Sequence, residues 1–265
     1  MRLDTETAAR FSLSRTQAAK MIAAGNVSVG GKVVTKPGAE VSESDEILLS
    51  AAEKFVGRGG YKLEAALDRF GIPVDGMTAV DIGASTGGFT DCLLQRGAGK
   101  VYAVDVGSGQ LASVLRTDPR VVVIENFNAR SLSADDLGEK CDIAVTDVSF
   151  ISQRLLYPAI VSTVRPGGTV VTLIKPQFEA GRAAIGKGGI VRDRAAHERV
   201  IGELFSAALE NGLTPVGLTA SPIPGGDGNR EYLLYLRCGA DAENSIAGDG
   251  GLIRRTVAES FERSE

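Results

Sequence analysis

From Tyr61 onward the chain alternates short apolar runs with helical patterns, and this alternation restricts the fold more than any other feature. Residues 78–82, 100–104, 121–124, 141–146 and 168–174 are runs of the length and β-branched character of buried strands. Segments 88–96, 110–117, 152–163 and 193–211 between them carry helical spacing, and "YKLEAALDRFG" ahead of them is a helix stopped by Gly71. Strands joined through helices need crossover connections, so the pattern predicts an α/β domain whose mostly parallel sheet is covered on both faces. The end of the pattern differs. Residues 214–219 and 231–238 are separated only by the turn-rich "SPIPGGDGNR", which predicts an antiparallel hairpin at the edge of the sheet.

The first fifty residues have another rhythm. Ser14 is a predicted N-cap, Ala18, Met21 and Ile22 share one helical face, and Gly25 ends that helix. "NVSVGGKVVTKPG" predicts a β-hairpin turning at Gly30-Gly31, and Glu46 to Leu49 supply a third strand. The expected organisation is a small α+β domain over 1–52, a polar, glycine-rich linker over 53–60, the α/β domain over 61–240, and a connector with a short helix over 241–265.

Composition removes several classes of function. The three cysteines are far apart, and with His197 the only histidine neither a Cys/His zinc site nor a disulfide framework is expected, so no metal is. No run approaches the ~18 apolar residues of a membrane span, and the polar start is unlike a signal peptide. A cytoplasmic protein with no membrane partner is the expectation. Net charge is −4, yet residues 1–36 hold six basic side chains against two acidic ones, which makes this end a candidate polyanion contact.

"AVDIGASTGGFT" is a strand opening through a glycine turn into a helix, the place where open α/β sheets bind ligands. The glycines are spaced Gly83-x-x-x-Gly87-Gly88 rather than GxGxxG, with Asp81 inside the strand end, and the next strand ends on Asp105. A carboxylate there can accept both hydroxyls of an adenosine ribose. The missing tight turn disfavours a pyrophosphate and favours S-adenosylmethionine, which has no phosphate; a dinucleotide and a purely structural turn are the alternatives.

The strand at 168–174 then presents Lys175 and stops on Pro176, an expensive way to end a buried strand unless the ammonium is used. Asp147 ends the preceding strand, Lys62 lies on the first helix of the large domain, and Glu231 leads into the last strand. Methylation of a ribose hydroxyl calls for such a set: alignment of a weakly acidic oxygen and removal of its proton. A free lysine, with a pKa of ~10.4, is almost wholly protonated at neutral pH. A second ammonium and burial favour the neutral amine, while carboxylates oppose this and hold the geometry. Two ordinary ion pairs are the bland alternative.

These blocks, together with "SRTQAAKMIAAGNVSVGGKVVTKPG", "GRGGYKLEAAL", "VDVGSGQL", "DVSFIS", "IKPQFEAG" and "PGGDGNREYLL", resemble the TlyA or hemolysin A family of ribosomal RNA methyltransferases over essentially the whole chain. The resemblance implies an S4-type RNA-binding domain before an FtsJ-like domain with a Rossmann-like class I methyltransferase sheet. It implies methylation of cytidine ribose 2′-hydroxyls in 23S rRNA, with 16S rRNA left open because the chain begins almost directly at "RLDTETAARFSLSR", with no longer basic arm before it. Ribosomal RNA or ribosomal subunits would be the partners. The catalytic tetrad falls on Lys62, Asp147, Lys175 and Glu231. The cofactor loop falls on Gly83, Ala84, Ser85, Thr86 and Gly87, with Asp81, Gly88, Phe89, Asp105, Val106, Asn128 and Asp147 as further cofactor contacts. RNA-facing positions fall on Arg15, Lys20, Lys36 and Arg58. The older family name implies pore formation, for which no amphipathic or apolar segment provides. An inert RNA-binding assembly factor and a nicotinamide reductase are the competing readings.

Overall fold

Ser14 accepts a hydrogen bond from the Gln17 amide while the Gln17 side chain accepts from the Ser14 amide, so a complete capping box starts the second helix of the chain. The computed structural model describes residues 1–49, 53–239 and 245–262, in two units, Met1–Lys54 and Phe55–Glu265. In the first unit, α1 (Leu3–Arg10) and α2 (Arg15–Ala23) accompany a sheet of β1 (Val27–Val29), β2 (Lys32–Val33) and β3 (Ile47–Leu49) in the order β2-β1-β3. The hairpin turns at Gly30 and Gly31, both at positive φ, as the sequence leads one to expect. Leu3, Ile22, Val27, Val41 and Ile47 form its core.

The second unit opens on α3 (Gly59–Phe70), closed by Gly71 in the left-handed conformation. Then follow β4 (Thr78–Ile82), α4 (Gly88–Gln95), β5 (Lys100–Val104), α5 (Ser113–Arg116), β6 (Val121–Ile124), α6 (Ala134–Leu137), β7 (Cys141–Thr146), α7 (Tyr157–Thr163), β8 (Val164–Ile174), α8 (Pro176–Glu179), α9 (Arg194–Glu210), β9 (Leu213–Ala220), β10 (Tyr232–Cys238) and α10 (Gly250–Glu262). The seven strands run in the order β6-β5-β4-β7-β8-β10-β9. β4 to β8 are parallel, and β10 is antiparallel to both β8 and β9. The hairpin therefore does form the sheet's edge, and its antiparallel strand is the inner one.

Alternation along the strands divides the core in two. Val80 and Ile82 of β4 join Tyr157, Ile160, Val200, Leu204, Phe205 and Val257 on one face. Ala79, with Val101, Ile143 and Val171 of neighbouring strands, meets Leu63, Leu67, Phe89 and Leu93 of α3 and α4 on the other. This is the three-layer α/β arrangement of a class I methyltransferase.

Three expectations change. The helix expected over 152–163 is a single 3-10 turn at Gln153–Leu155 followed by α7, because Pro158 has no N–H to donate and can only stand near a helix start. The helix expected over 110–117 shortens to α5. Within the expected linker, Phe55 is 3% exposed and packs in the second unit's core, and α3 already begins at Gly59. A Cβ on Gly60 would lie 2.2 Å from Phe55 Cγ, which is why glycine stands there. Of the expected connector, residues 240–244 lie outside the described residues, as does residue 263 of the terminal helix.

Candidate active site

Parallel register brings three strand ends together. Ile82 pairs with Val104 and with Thr146, so Gly83, Asp105 and Asp147, each the next residue, leave the sheet side by side. Tyr232 pairs with Ile174, which sets Glu231 beside Lys175 on the next strands along.

The glycine turn after β4 has the conformations its composition suggests. Gly83 has φ +86°, and a Cβ there would sit 2.7 Å from the Asp147 carbonyl oxygen. Gly87 has φ +97° beneath Leu111 and Leu115, with no room for a side chain. Between them Ser85, at φ +49°, is held by its amide, which donates to Asp105 Oδ2 at 2.8 Å. The Gly107 amide donates to Asp105 Oδ1 at 2.7 Å. Asp105 is thus a clasp between two loops, and an ionised carboxylate, with about four acceptor positions, retains capacity for hydroxyl donors.

Beneath this turn lies a cavity of about 410 Å³. Gly83, Ser85, Asp105, Val106, Asn128 and Asp147 line it, and so do Gln110, Phe127, Ser149 and Phe150. Among the described residues no lysine or arginine does. Next to it a smaller space of about 160 Å³ is bounded by Gly59, Ala84, Thr86, Gly88, Phe89, Asp147 and Lys175. A ligand-sized pocket with an acid at a strand end suits the adenosine ribose of S-adenosylmethionine.

Asp81 and Gly87 line neither space. Asp81 is wholly buried below the turn, where Oδ2 accepts from the Thr90 hydroxyl at 2.7 Å and Oδ1 has no partner among the described residues. Burial, opposed by that hydrogen bond and reinforced by the Asp147 and Asp105 charges, pushes its carboxyl up to about 7.

The tetrad resolves into two ion pairs. Lys175 Nζ lies 2.6 Å from Asp147 Oδ1, a charge contact that lacks hydrogen-bond alignment. Lys62 Nζ donates to Glu231 Oε2 at 2.5 Å, and both side chains are almost wholly buried. Burial raises the Glu231 carboxyl while Lys62 opposes that rise, and the Lys175 and Asp147 charges also act on it. The two pairs therefore belong to one electrostatic cluster: Lys175 and Asp147 border the smaller space, and Glu231, paired with Lys62, stands beside Lys175 on the neighbouring strand.

Residues that sequence reasoning passed over complete the site. The hydrogen bond of Lys175 Nζ goes to Ser149 Oγ at 3.0 Å. Phe150, 90% exposed at φ +64°, stacks its ring 4.9 Å from that of Phe178 on α8. Gln153 is buried; its Oε1 accepts from the Thr146 hydroxyl at 3.0 Å and its Nε2 donates to the Leu173 carbonyl at 3.1 Å, cross-linking the ends of β7 and β8. The Gln153 amide and the Ser152 hydroxyl both donate to Glu179. The block "DVSFIS" flags this stretch, but no spacing rule says which hydroxyl meets the lysine.

Within the first unit Arg15, Lys20 and Lys36 are exposed. Arg15 and Arg2 both reach the buried Asp4, at 3.2 and 2.8 Å, and the Arg2 guanidinium holds the Asp4 carboxyl well below the usual range against the effect of burial. Arg58, in the second unit, is exposed and donates through Nη2 to the Pro224 carbonyl at 2.8 Å.

A class I sheet with this turn, pocket and lysine pair defines an S-adenosylmethionine-dependent methyltransferase of the FtsJ type. The chain belongs to that family: residues 55–238 match the FtsJ-like methyltransferases and residues 1–47 match the S4 domain. It is 43% identical over 261 residues, 97% of each chain, to the 16S/23S rRNA (cytidine-2′-O)-methyltransferase TlyA of Mycobacterium tuberculosis. It is 44% identical to hemolysin A of Brachyspira hyodysenteriae, covering 89% of this chain and 99% of that one. A solved structure of a Streptococcus thermophilus protein described as a hemolysin superposes with a TM-score of 0.76 at 41% identity, covering 99% of this chain and 96% of that one. No described helix is long and apolar enough to cross a membrane.

Proposed function

We propose that the protein methylates the ribose 2′-hydroxyl of a cytidine in ribosomal RNA, 23S rRNA first and 16S rRNA as a second target, with Lys175 as the general base. Bound S-adenosylmethionine supplies an electrophilic methyl on a sulfonium. The observation that supports the reading is Lys175 at the border of the smaller space beside the cofactor pocket, at a strand end with its Nζ between Asp147 and Ser149. Lys175, as the neutral amine, would take the ribose O–H proton, while S-adenosylmethionine would supply the methyl and leave as the neutral thioether. Asp147 then faces the ammonium that results. Lys62 and Glu231 hold the neighbouring charge balance. Asp105 accepts the adenosine ribose hydroxyls; Gly83 to Phe89 enclose the methionine portion, with Asp81 as their buried support, and Val106 and Asn128 border the adenine.

Arg15, Lys20 and Lys36 take RNA phosphates, with Arg58 a further contact. The unit Met1–Lys54 is the RNA-binding domain, and the unit Phe55–Glu265 carries the methyltransferase domain. Ribosomal RNA as substrate makes the cytoplasm its place of action.

Single-turnover methyl transfer to ribosomal RNA at saturating cofactor tests this. Lys175→Ala should abolish transfer with S-adenosylhomocysteine affinity nearly unchanged. Lys175→Arg should also fail, because a guanidinium keeps the charge and does not readily deprotonate. A near-parental rate for Lys175→Arg would make the residue an RNA contact and not the base.

A further inference from the structure

Resting on the reading of Lys175 as the base, we infer that Ser149 is a positioning residue that aims the lone pair of the neutral Lys175 amine at the substrate hydroxyl.

A neutral amine carries two N–H bonds and one lone pair in tetrahedral directions, and only the lone pair can take a proton. A lysine with its hydrogens free to rotate presents the lone pair to the substrate for only part of the time. Two acceptors on the protein remove that freedom. Ser149 Oγ is the aligned one, 3.0 Å from Nζ. Asp147 Oδ1, at 2.6 Å, attracts the other hydrogen by charge although it is not aligned as a hydrogen bond. With one hydrogen bonded to Ser149 and the other drawn by charge toward Asp147, the lone pair falls in the remaining direction, and Lys175 and Ser149 border the same 160 Å³ space. Asp147 alone would leave the amine one rotation short of being fixed.

The loop is built to hold Ser149 there. Phe150 adopts the left-handed conformation, φ +64°, which strains a non-glycine residue. The Phe150 ring rests 4.9 Å from Phe178, three residues after Lys175, and two residues further on Ser152 and the Gln153 amide are tied to Glu179 on the same short helix. Lysine and serine therefore stand on one scaffold, which ties the serine's position to that of the base. Ser149 itself is exposed, so truncating it removes a hydroxyl and no core packing.

The experiment compares parent, Ser149→Ala, Ser149→Thr and Lys175→Ala in single-turnover transfer to ribosomal RNA at saturating cofactor and RNA, with S-adenosylhomocysteine affinity measured by calorimetry. Ser149→Ala should slow transfer roughly 10- to 100-fold, the scale of a misaligned reacting group. Ser149→Thr, which restores the hydroxyl on the same carbon, should recover most of the rate. The inference is overturned if Ser149→Ala transfers at the parental rate, if it alters only cofactor affinity, or if threonine fails to rescue it. An inactive Lys175→Ala beside a parental Ser149→Ala would reject the serine's role and leave the base in place. An active Lys175→Ala would reject the base and, with it, the inference.

Discussion

Asp81 is the residue whose chemistry departs furthest from its type. Its folded carboxyl titrates near 7 against 3.8 when free, so the native state holds its proton more tightly than the unfolded chain. This is the reverse of the usual acidic case: its contribution to stability is largest below the unfolded value, falls as pH rises from 3.8 toward 7, and is constant above. Without cofactor, the parent should therefore lose on the order of a few kcal/mol relative to Asp81→Asn between about pH 4.5 and 7.5. Urea unfolding of both proteins across that range measures it, and parallel stability curves would show that the buried acid has an ordinary pKa. Lys62 and Glu231 are less suited to such substitution, because removing one partner of a buried pair costs about 3–5 kcal/mol and confounds activity with folding. At this scale the sequence was informative wherever a residue stood at a strand end: Asp105, Asp147 and Lys175 are legible from their position after an apolar run. Ser149 was not, since a serine in a loop has no pattern, and only the fold shows what it faces.

At the scale of elements, the stretch 179–193 shows how composition and structure differ. Its glycine-rich composition cannot bury a core and predicts a mobile flap over the site. Most of it is exposed, in two short 3-10 turns, but its ends are anchored: Val191 is wholly buried and Ala180 nearly so. The Val191 amide donates to Asn229 Oδ1 at 3.2 Å, Asn229 Nδ2 donates to the Gly189 carbonyl at 3.0 Å, and His197 Nε2 lies 3.0 Å from the Val191 carbonyl. Because that ring nitrogen faces a carbonyl it carries the hydrogen, leaving Nδ1 to accept from the Tyr232 hydroxyl at 2.8 Å. The only histidine of the chain is thus an anchor, pushed down in pKa mainly by burial. Hydrogen exchange should be fast over 182–190 and slow at Val191 in the free protein, and the whole stretch should become protected with cofactor and RNA. Equal, strong protection in both states would mean that the stretch does not move. The strands themselves were readable because buried parallel strands are continuous apolar runs; the break at Pro158 and the burial of Phe55 depend on neighbours that sequence periodicity does not encode.

For the molecule as a whole, a net charge of −4 coexists with an S4 unit that presents exposed basic side chains. Lys20 and Lys36 form no ion pair among the described residues, whereas Arg15 is braced by Asp4. Charge reversal at all three should weaken RNA binding and flatten its salt dependence, because each phosphate contact contributes through counterion release. A triple variant that binds RNA like the parent at every salt concentration would make this surface an ordinary solvated one. Two units were visible in the sequence because helical and strand rhythm changes after residue 50.

The central claim is that this chain methylates ribose hydroxyls of ribosomal RNA through Lys175. Its most direct test is a map of 2′-O-methyl groups on ribosomal RNA incubated with cofactor and either the parent or Lys175→Ala. The parent should leave a discrete 2′-O-methylcytidine in 23S rRNA and the variant none at that position. Maps without a new 2′-O-methyl group, or with the same group from both proteins, would contradict it.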